Sequence, residues 1–149
     1  MSRIKTFIYD WEMFDTDIRS ILTQVDFTCY HKVIGIATGG LPLLTKLVNG
    51  IPSISYEIIK CCSYETNVRG KLSITRIEDL NCKDKAILLV DDVADTGFTL
   101  DPITDILKDK GAKSVETLTL CYKPQSIVVP TWYIHEVPND CWIIFPWER

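Results

Sequence analysis

The stretch Ala86-Ile87-Leu88-Leu89-Val90-Asp91-Asp92-Val93-Ala94-Asp95-Thr96-Gly97-Phe98-Thr99 decides the fold. Its first five residues are continuously apolar, the pattern of a strand buried on both faces. Carboxylates then break the run, and Asp91 to Thr99 read as a loop leading into a helix. Pro102 falls in the first turn of that helix, Ile103, Ile106 and Leu107 form its core-facing stripe, and Gly111 ends it. Ser114 to Tyr122 read as the next strand. Strand, helix and strand in this order predict a parallel sheet with crossover helices.

The same alternation holds upstream. Asp10 is placed to cap a helix whose apolar positions, Trp11, Phe14, Ile18, Ile21, Leu22 and Val25, follow spacings of three and four. Val33 to Ala37 form a short extended run ending at Thr38-Gly39-Gly40. A second helix begins at Leu41 with Pro42 in its first turn and Gly50 as its stop. Ile51 to Ile59 read as extended, and Ser63 to Lys71 as a polar surface segment. The expectation is one α/β domain over residues 1–149, with a central, mainly parallel sheet flanked by helices.

Composition narrows the partners. Sixteen basic and twenty acidic residues give a net charge of −4, so no overall field draws nucleic acid or an anionic membrane. No apolar run approaches the ~20 residues that span a bilayer. The amino-terminal residues lack the pattern of an export signal. The six cysteines, including the adjacent pair Cys61-Cys62, show no zinc-like spacing, and reduced thiols in a cytoplasmic protein are expected. A small-molecule ligand fits best.

In open α/β sheets, ligands bind beyond the carboxyl ends of the strands. The loop after Val90 is suited to an anion there. Thr96-Gly97-Phe98-Thr99 opens a helix, where backbone N–H groups and hydroxyls face a phosphate and Gly97 permits close approach. Asp91 and Asp92 would repel a bare phosphate and suit sugar hydroxyls or a divalent metal.

The segment Asp91 to Thr99 resembles the binding signature for 5-phosphoribosyl-1-pyrophosphate (PRPP) of the type I phosphoribosyltransferases. Asp10-Trp11-Glu12-Met13, Thr38-Gly39-Gly40, Ser63-Tyr64, Tyr122-Lys123-Pro124, Asp140-Cys141-Trp142-Ile143 and Pro146-Trp147 follow in an order similar to the bacterial xanthine-guanine enzymes. The resemblance implies purine salvage: transfer of the phosphoribosyl group of PRPP to a 6-oxopurine, with Mg²⁺ as cofactor, in a cytoplasmic homodimer or homotetramer.

It also implies roles. Asp91, Asp92, Val93, Ala94, Asp95, Thr96, Gly97, Phe98 and Thr99 would hold the ribose and 5′-phosphate, with Asp92 on the metal. Thr38, Gly39 and Gly40 would form the pyrophosphate loop, and Arg69 and Lys71 of a closing loop would reach the diphosphate. Asp95 would meet N7 of the purine and assist proton transfer. Lys123, a pure donor, would select the 6-oxo group, Trp142 would stack on the base, and the Ile143 main chain would meet its 2-position. A solvated strand end is the plain alternative for Lys123, and a core aromatic for Trp142.

Three departures stand out. The family carries an arginine where this chain has Thr38, a small residue where it has Phe98, and its loop arginine aligns with Gly70, next to Arg69. A different base, or a nucleotide-binding regulator that has lost catalysis, are the competing readings.

Overall fold

The computed structural model describes residues 3–63 and 72–148. Its central strand, β5 (Ala86–Ala94), lies in a six-stranded sheet ordered β4-β3-β2-β5-β6-β7. The other members are β2 (Lys32–Ala37), β3 (Ser55–Ser63), β4 (Leu72–Thr75), β6 (Ser114–Tyr122) and β7 (Trp132–Glu136). Among the described residues, only the β3–β4 pairing is antiparallel. Helices α1 (Trp11–Gln24), α2 (Leu41–Gly50) and α3 (Leu100–Asp109) cover the faces.

The apolar run of β5 divides by alternation. Leu88 and Val90 join Val33, Leu118 and Leu120 in a core under α1 and α2. Ile87 and Leu89 join Ile34, Ile36 and Ile59 in a second core under Leu100, Ile103 and Leu107 of α3. Successive side chains of a strand point to opposite faces, so a strand covered on both sides must be apolar throughout. Ile106 is only half-buried, at the edge of that helix stripe.

Two boundaries differ from the sequence expectation. Asp91 to Ala94 continue β5 rather than forming a loop. Pairing with β2 stops at Gly35–Val90, but pairing with β6 persists through Asp91–Thr119, Val93–Cys121 and Ala94–Tyr122. One ladder is enough to keep the backbone extended while the other side opens. The turn itself is confined to Asp95–Thr99. Extended structure after α2 also starts later than Ile51, which serves as that helix's C-cap. Gly50 is the last helical residue, and its role is close packing: a Cβ there would lie 2.9 Å from Leu22 Cδ1.

A second sheet stands apart, made of β1 (Lys5–Ile8) and β8 (Cys141–Ile144) in parallel. It forms a hood that Tyr9 joins to the body of the domain. Asp10 caps α1, accepting from Met13 N at 2.8 Å. Along α1, Phe14, Ile18 and Ile21 are buried as the spacing predicts, but so is Asp17. Its carboxylate accepts from the Tyr9 hydroxyl and lies 2.8 Å from His135 Nε2 of β7. Burial, then the hydrogen bond to Asp17, push the Tyr9 phenol far above its ordinary range, so it remains a donor. Among the described residues, no helix is long and apolar enough to cross a membrane.

The Tyr9–Asp17–His135 network joins hood, helix and sheet. Asp17→Ala leaves the buried Tyr9 hydroxyl and the half-buried His135 ring without their acceptor and should lower unfolding free energy by about 2–4 kcal/mol in urea titration. An unchanged midpoint would mean the network contributes nothing to stability.

Candidate active site

Strands β2, β5 and β6 run parallel, so their carboxyl ends and the loops that follow them open on one side of the sheet. Three neighbouring recesses lie there. The largest, about 570 Å³, is lined by Thr38 and Gly39, the start of α2, Cys61 of β3, Asp91, Asp92, Thr99, and Trp147 with Glu148 from the chain's end.

Gly39 and Gly40 are required by proximity rather than by unusual backbone angles. Positive φ among the described glycines occurs only at Gly97 and Gly111. A Cβ on Gly39 would come 2.5 Å from Asp92 Oδ2, and one on Gly40 2.7 Å from the Ile36 carbonyl oxygen. The loop after β2 therefore presses directly against the end of β5. Thr38 lines the cleft, and the Ala37–Thr38 peptide is cis.

Asp91 and Asp92 form the floor. Burial pushes both carboxyls above the usual carboxylate range, and at Asp91 the charge of Asp92 adds to the effect. Asp92 N donates to Asp91 Oδ1 at 2.8 Å. The two carboxyl groups also hydrogen-bond to each other, yet each acts on a different thiol. Asp91 acts on Cys61, whose thiol is pushed up to about 12, first by burial and then by this charge. Asp92 acts on Cys121 and feels Glu148. Every charged side chain among the described residues lining this cleft is acidic.

A smaller recess of about 220 Å³ follows the turn, lined by Asp91 to Gly97, Thr99 and Leu100. Gly97 adopts φ 82°, the left-handed region that favours glycine. A Cβ there would also strike Ser126 Oγ at 2.7 Å and Ile127 Cγ1 at 2.9 Å. Ile127 N donates to the Thr96 carbonyl at 2.9 Å, so the segment after β6 buttresses the turn. Thr99 stands at the N-cap of α3 without spending its side chain on the cap. Phe98 is half-buried and does not line the recess, so its ring stays out of that space.

The third recess, about 140 Å³, lies under the hood among Val93, Asp95, Lys123, Trp142, Ile143, Phe145 and Glu148. Lys123 is buried, 6 % exposed, with Nζ 3.2 Å from Asp95 Oδ2. That excludes a solvated strand end. Trp142 is 64 % exposed, which excludes a core aromatic and leaves its ring at the recess wall.

Sequence reasoning thus placed most of the lining residues, with exceptions. Gly40 supports the cleft from behind, Phe98 lines none of the three recesses, and Arg69 and Lys71 lie outside the described residues. It missed Cys61, Gln125 and Glu148, and gave Trp147 no role beyond the resemblance. Gln125 Nε2 donates to Asp95 Oδ1 at 2.5 Å. Trp147 is held by stacking on Phe145, centroids 4.8 Å apart and planes 13° off parallel. Edge contacts with Tyr9, Trp11 and Phe14 complete its cage.

Burial raises the Asp91 carboxyl in the fold above its unfolded value, so ionising it costs stability. That cost is absent below the unfolded value, about pH 4, and grows as pH rises through the raised one. Asp91→Asn should therefore stabilise the ligand-free protein at pH 7 by on the order of 1 kcal/mol, with the gain vanishing below about pH 4. A gain that persists at low pH, measured by denaturant titration, would contradict the burial of a charge as its origin.

Comparison with known proteins agrees with this geometry. The phosphoribosyl transferase domain model matches residues 6–148. The chain is similar to the xanthine-guanine phosphoribosyltransferase of Chromohalobacter salexigens, 26 % identical over 142 residues, covering 95 % of this chain and 83 % of that one. It is also similar to the hypoxanthine-guanine phosphoribosyltransferase of Streptococcus mutans, 29 % identical over 114 residues, covering 72 % of this chain and 63 % of that longer protein. Among solved structures, the purine phosphoribosyltransferase of Pyrococcus horikoshii superposes with a TM-score of 0.86 at 31 % identity, covering 97 % and 95 % of the two chains. With its core strand, turn and three recesses all inside the matched span, the chain belongs to the phosphoribosyl transferase domain family.

Proposed function

We propose that this chain transfers the 5-phosphoribosyl group of PRPP to N9 of a 6-oxopurine (guanine, xanthine or hypoxanthine), releasing pyrophosphate. The observation that carries the reading is the buried Lys123 ammonium, paired with Asp95 beneath an exposed Trp142. An ammonium only donates, so a carbonyl at the 6-position is welcome and an amino group is not. Trp142 offers a stacking face, and the Ile143 main chain meets the 2-position.

The remaining recesses suit the two ends of PRPP. The Thr96–Thr99 turn, at a helix start where the Thr99 side chain is not spent on the cap, suits the 5′-phosphate. The Thr38–Gly40 loop suits the pyrophosphate, and Asp91 suits the ribose hydroxyls. An acidic cleft cannot hold a diphosphate unaided, because like charges repel. Its hard oxygen donors suit Mg²⁺, with Asp92 as ligand. Mg²⁺ bound there would neutralise the departing diphosphate.

In the transfer, the N9–C1′ bond forms as the bond from C1′ to the diphosphate oxygen breaks, its electron pair leaving with pyrophosphate. Asp95 takes the proton from N7, which keeps N9 nucleophilic as positive charge spreads over the ribose. Trp142 and Trp147 limit water at the two ends of the site. The names of the similar proteins support the same base class.

Asp95→Asn should lower kcat by about 10²-fold or more while PRPP binding, followed by calorimetry with Mg²⁺, stays within roughly twofold. Lys123→Ala should lower kcat/KM for guanine by at least about tenfold with the same PRPP affinity. Unchanged base kinetics in either variant would remove that residue from the role.

A further inference from the structure

The segment after β6 holds Asp95 by two donors, one of which the base recess does not include. Lys123 Nζ reaches Oδ2 at 3.2 Å, and Gln125 Nε2 reaches Oδ1 at 2.5 Å. Asp95 is itself half-exposed, its side chain 48 % accessible, so packing does not lock its rotamer. The donors must do so.

A base entering the recess lies against Lys123 and Trp142, and its 6-oxo group draws the ammonium's donation away from Asp95. Gln125 is not among the residues lining that recess, so the arriving base leaves its contact in place. Its own position is set by backbone bonds. Gln125 N donates to Asn139 Oδ1 at 2.8 Å. Lys123 N donates to the Ala94 carbonyl and Ser126 N to the Lys123 carbonyl, each at 2.9 Å. The turn is thereby tied to the end of β5, the strand that leads directly into Asp95.

We propose that Gln125 is a positioning residue for Asp95, holding Oδ1 so that Oδ2 is the oxygen that takes the purine proton. The proposal rests on the phosphoribosyl-transfer reading above. The amide suits the task because its Nε2 only donates, so it secures the carboxylate without competing for the proton. Proton transfer depends on geometry first, and an error of about 1 Å in an acceptor's position costs up to about 10²-fold.

Two variants test it, in steady-state turnover of PRPP with a 6-oxopurine that the unmodified chain uses. Gln125→Met keeps the bulk and removes the donor. It should lower kcat by about tenfold or more while KM for PRPP stays within roughly twofold and the thermal midpoint holds. Gln125→Glu places a second carboxyl against Asp95 and should be slower still near pH 8. It should regain several-fold as pH falls to about 6, because two adjacent carboxyls share a proton and the protonated one donates as the amide did. Gln125→Met should show no such recovery, whereas a purely structural role would give both variants the same pH dependence. If the unmodified chain turns over a 6-oxopurine and Gln125→Met matches its kcat on that base, or Gln125→Glu shows no recovery, this inference alone is overturned. If the unmodified chain turns over no 6-oxopurine, the transfer reading fails and takes the inference with it.

Discussion

The change of partners along β5 governs the rest of the structure. Through Val90 the strand is hydrogen-bonded on both edges and covered on both faces, which demands apolar residues at every position. Past Val90 the β2 edge is released, and the β6 edge alone carries the backbone on to Ala94. Carboxylates can occupy that stretch only because one side has opened into a cleft. Their raised titration is the residue of the constraint: they remain close enough to the core for burial to oppose their charge. A cation held by these carboxylates would relieve the same stress, so the stability they give up would be recovered on binding.

Depth in the site comes from the hood. The β1–β8 sheet has little core of its own, and its position depends on aromatic packing around Trp147 and on the buried carboxylate of Asp17. It carries Trp142 and Ile143 over Lys123, while Glu148 borders both the third recess and the main cleft. The main sheet and its loops thus line the cleft and the turn recess, and a separately anchored cover walls the third recess. Coupling between the two runs through Tyr9, His135 and α1.

Much of this was legible in the sequence because the signals were local. The apolar run 86–90, the Pro102 and Gly111 punctuation and the Asp10 cap each report on backbone neighbours, and the structure agrees with them. The signature from Asp91 to Thr99 was readable for the same reason. What escaped depended on contacts distant in sequence. Strand β5 outlasts its apolar run because β6 continues beside it. Short β1, β4, β7 and β8 have too few residues to show a period. Asp17 sits on an apolar stripe because Tyr9 and His135 await it there. Gln125 carries no motif, and only the fold brings it to Asp95 across thirty positions. The glycines at 39 and 40 were recognised as a loop, but not the clearance that Asp92 and the β5 backbone demand of them.

A buried ammonium, a flanking carboxylate and an exposed tryptophan together suit this site to 6-oxopurines served by PRPP. The most direct test is spectrophotometric turnover of the purified chain with PRPP and Mg²⁺ against guanine, xanthine, hypoxanthine, adenine and uracil. Product is expected with one or more of the three 6-oxopurines and none with adenine or uracil. Turnover of adenine or uracil, or of no base while PRPP still binds, would contradict this reading.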